Sequence, residues 1–268
     1  MRIREVLTLA ATLLAGSATA GAAQARPDRP ILVFTVSGAY IDGAGLWHIA
    51  DQPITDLSGG GAGLTDHFAI TRSVKRSLGA AFSGTYFKGA HFGITGEGML
   101  LGLGYEDACR LRQPTMSAIN AQRCASLERL DHSAAAVAVS AGAIYRISPG
   151  EFLSPFARAS VGLLINNQSP IRVVAESEDG AEFTIYDDEQ TGTRLRPAFA
   201  LGVGTTIAVG RAYHLRWEIR DNILGIQRVT APAADRGAVP LHNTAYKHLF
   251  SLMVGLDVVL ERRPGRRY

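Results

Sequence analysis

Beyond residue 16 the chain has no long hydrophobic run, because Gly, Ser, Thr or a charged residue interrupts every apolar stretch. A spanning helix needs about 20 predominantly apolar residues, so any membrane crossing must be made by strands. Charge is scarce too, at 19% of residues against roughly 25% in an ordinary soluble domain. The net charge of +3 is too small for a nucleic-acid surface and excludes that class of partner on electrostatic grounds. Only two cysteines occur, Cys109 and Cys124, which excludes a disulfide-rich scaffold. With no accompanying His, a metal site is the weaker reading for that pair and a local disulfide the better one. Glycine, by contrast, is abundant at 29 residues.

The N-terminus predicts export. Arg2 and Arg4 precede an apolar stretch from Val6 to Gly16, and small residues then lead to Ala23-Gln24-Ala25. This is the pattern of a cleaved secretory signal, expected over residues 1–25 and leaving one domain at 26–268. An oxidising destination favours the Cys109–Cys124 bond, whose loop closure is worth about 3 kcal/mol.

Within that domain, eight segments of alternating polarity are joined by connections of two kinds. The short ones are Lys88-Gly89-Ala90, Ser148-Pro149-Gly150, Gly210-Arg211 and the junction of the two chain ends. The long ones fall at about 42–76, 106–132, 167–194 and 227–246. The seventh segment is the clearest: Tyr213, Leu215, Trp217 and Ile219 alternate with His214, Arg216, Glu218 and Arg220. Period two means a strand with one apolar face. The eighth sets Phe250, Leu252, Val254, Leu256 and Val258 against Ser251, Gly255 and Asp257, with Met253 the exception. The third loses contrast toward Leu101 and Leu103, and the first two, near Ile31 to Ile41 and Leu78 to Phe87, are the palest. A soluble lipocalin-like barrel binding an apolar ligand would alternate in the same way with its apolar face inward. Here the polar face is mostly Gly, Ala and Ser with single charges, which suits the cramped interior of an eight-stranded barrel. Tyr86, Phe92, Tyr145, Phe156 and Tyr213 lie beside the short turns, where an interfacial girdle belongs.

With these features the chain resembles the small OmpA-like and OmpX-like outer-membrane barrels from about Ile31 to Leu260. The resemblance implies an all-β fold: an eight-stranded antiparallel up-and-down transmembrane barrel with short periplasmic turns and long extracellular loops. It also implies a bacterial outer-membrane location and a structural or surface-interaction role, with membrane lipid and lipopolysaccharide as partners and the loops available to an extracellular ligand. The tail Glu261-Arg-Arg-Pro-Gly-Arg-Arg-Tyr268 departs from a plain strand ending in an aromatic residue.

Inward parity gathers Glu97, Arg158, Arg196, Arg216, Glu218, Arg220 and Asp257 in the lumen. Unpaired buried charge is costly, so an ion-pair network is expected. A narrow ion or small-solute conduit, favouring anions because Arg outnumbers acids, is the alternative. The acidic third connection (Glu176, Glu178, Asp179, Glu182, Asp187, Asp188, Glu189) lacks calcium-loop spacing and reads as a solvated hairpin. Arg72, Lys75, Arg76, Arg110, Arg112 and Arg228 lie where lipopolysaccharide phosphates would be met. No enzyme is expected: His248 and Ser251 have opposite parity, as do His132 and Ser133, so neither forms a dyad. No cofactor is expected either; the Gly-rich Ser58 to Gly63 stretch lacks the Lys-Ser/Thr of a phosphate loop.

Overall fold

The computed structural model describes residues 30–55, 63–112, 117–129, 135–166, 169–176, 180–188, 194–210, 212–234 and 236–261. The expected leader at 1–25, most of the Ser58 to Gly63 stretch, His132, Ser133, Glu178, Asp179, Glu189 and the tail after Glu261 lie outside the described residues.

In chain order the first elements are β1 (Ile31–Ile41), β2 (Ala44–Thr55), β3 (Thr65–Val74), β4 (Ser77–Phe87), β5 (Phe92–Gly102) and β6 (Tyr105–Leu111). Helix α1 (Ala118–Leu127) and strands β7 (Ala135–Arg146), β8 (Leu153–Asn166), β9 (Val173–Glu176) and β10 (Glu182–Tyr186) follow. The chain ends with β11 (Arg194–Ala208), β12 (Tyr213–Val229) and β13 (His242–Glu261). Eight of these strands, β1, β4, β5, β7, β8, β11, β12 and β13, form a closed antiparallel barrel. It is sealed by β1 on β13, from Ile31 opposite Glu261 to Ile41 opposite Ser251. Paired positions followed once around the ring leave β13 at Asp257 and return to it at Lys247, ten residues away. Such a stagger goes with tilted strands and a narrow interior. On β7 and β8 the approach is very close. A Cβ on Gly142 would lie 2.2 Å from the Ala159 carbonyl oxygen, and one on Gly162 equally near that of Val139, so both positions require glycine.

The faces sort as the alternation indicates. Thr35, Ser83, Glu97, Arg158, Arg216, Glu218, Arg220, Ser251 and Asp257 are buried inside, whereas Val36, Phe82, Ile94, Val139, Val161, Leu201, Ile219 and Leu252 are exposed outside. This is the reverse of the lipocalin-like arrangement. The outward positions carry no charge from Leu32 to Tyr40, Leu78 to Tyr86, Phe92 to Leu100, Ala135 to Tyr145 and Leu153 to Ile165. The same holds from Leu195 to Ile207, Tyr213 to Ile219 and Phe250 to Leu260. Leu101 and Leu103 of the blurred third segment are buried; contrast fades there because the lumen itself becomes apolar toward the long connections.

Those connections are not simple loops. The first and second supply the sheet β2-β3-β6 and helix α1, and the third supplies the hairpin β9-β10. Their own alternation explains it: Trp47, Ile49, Ile54, Phe68 and Ile70 all turn to one side and are buried. The fourth connection contracts to 230–241, because β12 and β13 stay paired out to Val229 and His242. Together these elements make a cap. One apolar core runs from the barrel (Ile41, Met99, Leu101, Leu164, Leu224, Leu249) into the cap (Trp47, Phe68, Leu127, Ile171, Ile185).

Candidate functional site

The interior charges form one chain of contacts across the barrel. Arg158 on β8 reaches Glu97 on β5 at 2.8 Å. Glu97 also receives both terminal nitrogens of Arg220 from β12, at 2.5 and 3.1 Å. Arg220 Nε then donates to Glu218 at 2.8 Å, and Arg216 donates to the other oxygen of Glu218 at 2.8 and 3.1 Å. Arg216 Nη1 lies 3.8 Å from Asp257 on β13, which accepts a 2.7 Å hydrogen bond from Thr35 on β1. Three guanidiniums thus meet three carboxylates, all almost wholly buried. Within these contacts the charges balance, three to three.

Arg196 is not among these contacts. It is half-buried at the long-connection end, where its charge acts on the Tyr105 phenol. The fourth guanidinium of the lumen is instead Arg146, which shares its β7 face with Ile144 and lies 3.6 Å over the Phe87 ring. Its parity was the available signal. Phe156 is also displaced from its expected place: it is buried under Arg216, 4.1 Å from the ring centroid, because it shares parity with Arg158. The other four girdle residues, Tyr86, Phe92, Tyr145 and Tyr213, are exposed outside. Between Phe87, Phe156, Arg146, Arg216, His214 and Asp257 lies a cavity of about 10 Å³, room for roughly one water.

The cap is held by three buried polar hubs. Arg72, expected to meet lipid phosphate, is buried instead. It forks onto Asp107 at 2.5 and 2.6 Å, donates to the Arg172 carbonyl at 2.7 Å, and lies between the Trp47 and Tyr105 rings. Gln52 accepts from the Tyr186 hydroxyl and the Ala233 amide, both at 2.8 Å, and donates to the Ala233 carbonyl. Asp66 accepts from the Asn120 side chain at 2.9 Å and from the Ser117 amide at α1's start. Burial pushes the phenols of Tyr105 and Tyr186 above their ordinary value. A disulfide joins Cys109 on β6 to Cys124 on α1. Phe183 of the third connection lies beneath Arg123 and Arg236 from the second and fourth, at 3.8 and 5.2 Å.

Other candidates separate. His248 is exposed and bonded to Asp221 at 2.7 Å, while Ser251 is buried in the lumen and accepts from Asn222. Among the described residues no three His, Cys, Asp or Glu side chains gather to hold a metal. The acidic run is split between the β9-β10 hairpin and its flanks: Glu182 faces Arg172 at 3.6 Å, and Asp188 accepts from Ser169.

The barrel resembles solved outer-membrane proteins. Outer membrane protein OprG of Pseudomonas aeruginosa superposes with a TM-score of 0.46 at 9% identity, over 88% of this chain and 98% of that one. Ail, the attachment invasion locus protein of Yersinia pestis, gives 0.41 at 13% identity, over 87% and 99%. Neisserial surface protein A gives 0.40 at 9% identity, over 86% and 97%. No protein-family model and no curated protein sequence matches the chain.

Proposed function

We propose that the protein spans a bacterial outer membrane and carries its folded cap to the cell surface in a structural or surface-interaction role, without catalysis. The supporting observation is the outward face of the barrel, which carries no charge over the spans given above, up to Ile219 on β12 and Phe250 on β13, and is studded with exposed Leu, Ile, Val and Phe; Asp221, bonded to His248, lies beyond them toward the cap. A patch of that extent is untenable in water, and a closed barrel leaves no unpaired edge in lipid. The short turns then face the periplasm and the cap faces outward.

The interior supports the structural role over the conduit. Paired Arg and Glu side chains cross the middle of the lumen, and the cap core fills its outer end. Cell fractionation with a heat-modifiability gel tests the reading. The protein should pellet with membranes and change its migration on boiling; a soluble protein with no shift would overturn it.

A further inference from the structure

Along the lumen the charges alternate in sign. From the cap side they run Arg158, Glu97, Arg220, Glu218, Arg216 and Asp257. Arg146 then follows at the cavity of about 10 Å³ near the short turns, whose wall it shares with Arg216 and Asp257. With Arg146 counted, four guanidiniums share three carboxylates and one positive charge is left over. Uncompensated charge away from water is costly.

The nitrogen atoms locate that excess at the cavity. Arg146 donates through Nη2 to the Ala90 carbonyl at 3.1 Å, while its buried Nε has no partner among the described residues. Arg216 gives Nε and Nη2 to Glu218 and keeps only a 3.8 Å contact from Nη1 to Asp257. Asp257 is itself engaged by the Thr35 hydroxyl. Both guanidinium faces lie against rings, Arg146 on Phe87 and Arg216 on Phe156. Guanidinium N–H bonds lie in the plane of the group, so the edges are what remain to meet an occupant.

We propose that this cavity holds one monatomic anion, chloride where ambient salt supplies it, between Arg146 and Arg216. A water fits the same space but leaves the excess charge uncancelled. Phosphate, sulfate or a carboxylate group is too large for it. His214, opposite Asp257 in the pairing of β12 with β13, lines the same cavity and adds a further polar group. The inference rests on the closed barrel and its interior, independently of membrane location.

The test follows urea unfolding of the full chain in lipid vesicles while chloride replaces gluconate at constant ionic strength. An ion held only by the folded barrel makes the unfolding equilibrium constant fall about tenfold for each tenfold rise in chloride above its dissociation constant. Bromide should act as chloride does, and sulfate should not. Arg146→Gln, which removes the leftover charge, should abolish the dependence. Val33→Ile adds a methyl group to the cavity wall without touching any charge, and should abolish it too. Both variants should keep the heat shift, so that the loss reports the site rather than misfolding; if Arg146→Gln does not fold, Val33→Ile decides. The proposal is overturned if the wild type shows no chloride dependence, which leaves water in the cavity. It is equally overturned if both variants keep the dependence, which places the ion elsewhere, or if sulfate replaces chloride, which shows an open cationic surface.

Discussion

At the residue scale the buried charges differ in how well each is satisfied. Arg220 bonds two carboxylates through three nitrogens, whereas among the described residues Arg158 reaches only Glu97 and leaves Nε and Nη2 without a partner. Removing one partner of a buried pair costs about 3–5 kcal/mol, because the other charge stays behind. Arg220→Met, which takes a partner from both Glu97 and Glu218 and leaves each with a single guanidinium, should therefore lose about that much in urea unfolding from lipid vesicles. Arg158→Met should lose clearly less, since Glu97 keeps Arg220; equal losses would mean the network does not share charge as drawn. The cap tyrosines give a pH prediction. Their phenols ionise above the ordinary value of 10.0 in the folded cap. The stability they contribute is present in full below pH 10.0 and is lost as pH rises toward the raised values. Trp47, whose ring lies 6.0 Å from that of Tyr186, should report this as a fluorescence change above pH 10.0 and none below it.

At the scale of elements the cap depends on cross-links within and between connections that share no strand pairing with the barrel. Cys109 and Cys124 are 15 residues apart and tie β6 to α1, a closure worth about 3 kcal/mol. The double variant Cys109→Ser, Cys124→Ser should expose α1 to protease while the barrel keeps its heat shift, because no barrel strand contains either residue. Gln52→Leu should loosen the joint between the first, third and fourth connections. It leaves the buried Tyr186 hydroxyl and Ala233 amide unsatisfied, at roughly 1–3 kcal/mol each, seen as faster hydrogen exchange at Ala233.

At the scale of the whole molecule the lumen is closed in three layers: a small aromatic and Arg layer at the short turns, the ion-pair chain, and the cap core. Planar bilayers containing the intact protein should show no stepwise conductance, and Glu218→Gln should introduce none unless the core above it also opens. Steady channels in the wild type would favour the conduit, the alternative reading, over the structural role.

The sequence alone determined which way most strand residues face, although Phe156, expected in the outer girdle, turns inward with Arg158. Period-two alternation is a local property of a strand, so the inward set from Glu97 to Asp257 and the uncharged exterior were legible without a structure. Even the exception at Met253 was, since its inward position follows from parity. Tertiary structure decided what each inward or connecting residue meets. Arg72 and Arg196 look alike as basic residues near strand ends, but one is sealed between two rings on Asp107 and the other is half-buried beside Tyr105. Which of these happens depends on partners 25 to 100 positions away in the sequence. The folding of the long connections was hidden for the same reason: Trp47, Phe68 and Ile171 form a core only when the closed ring of strands brings their separate connections over one mouth.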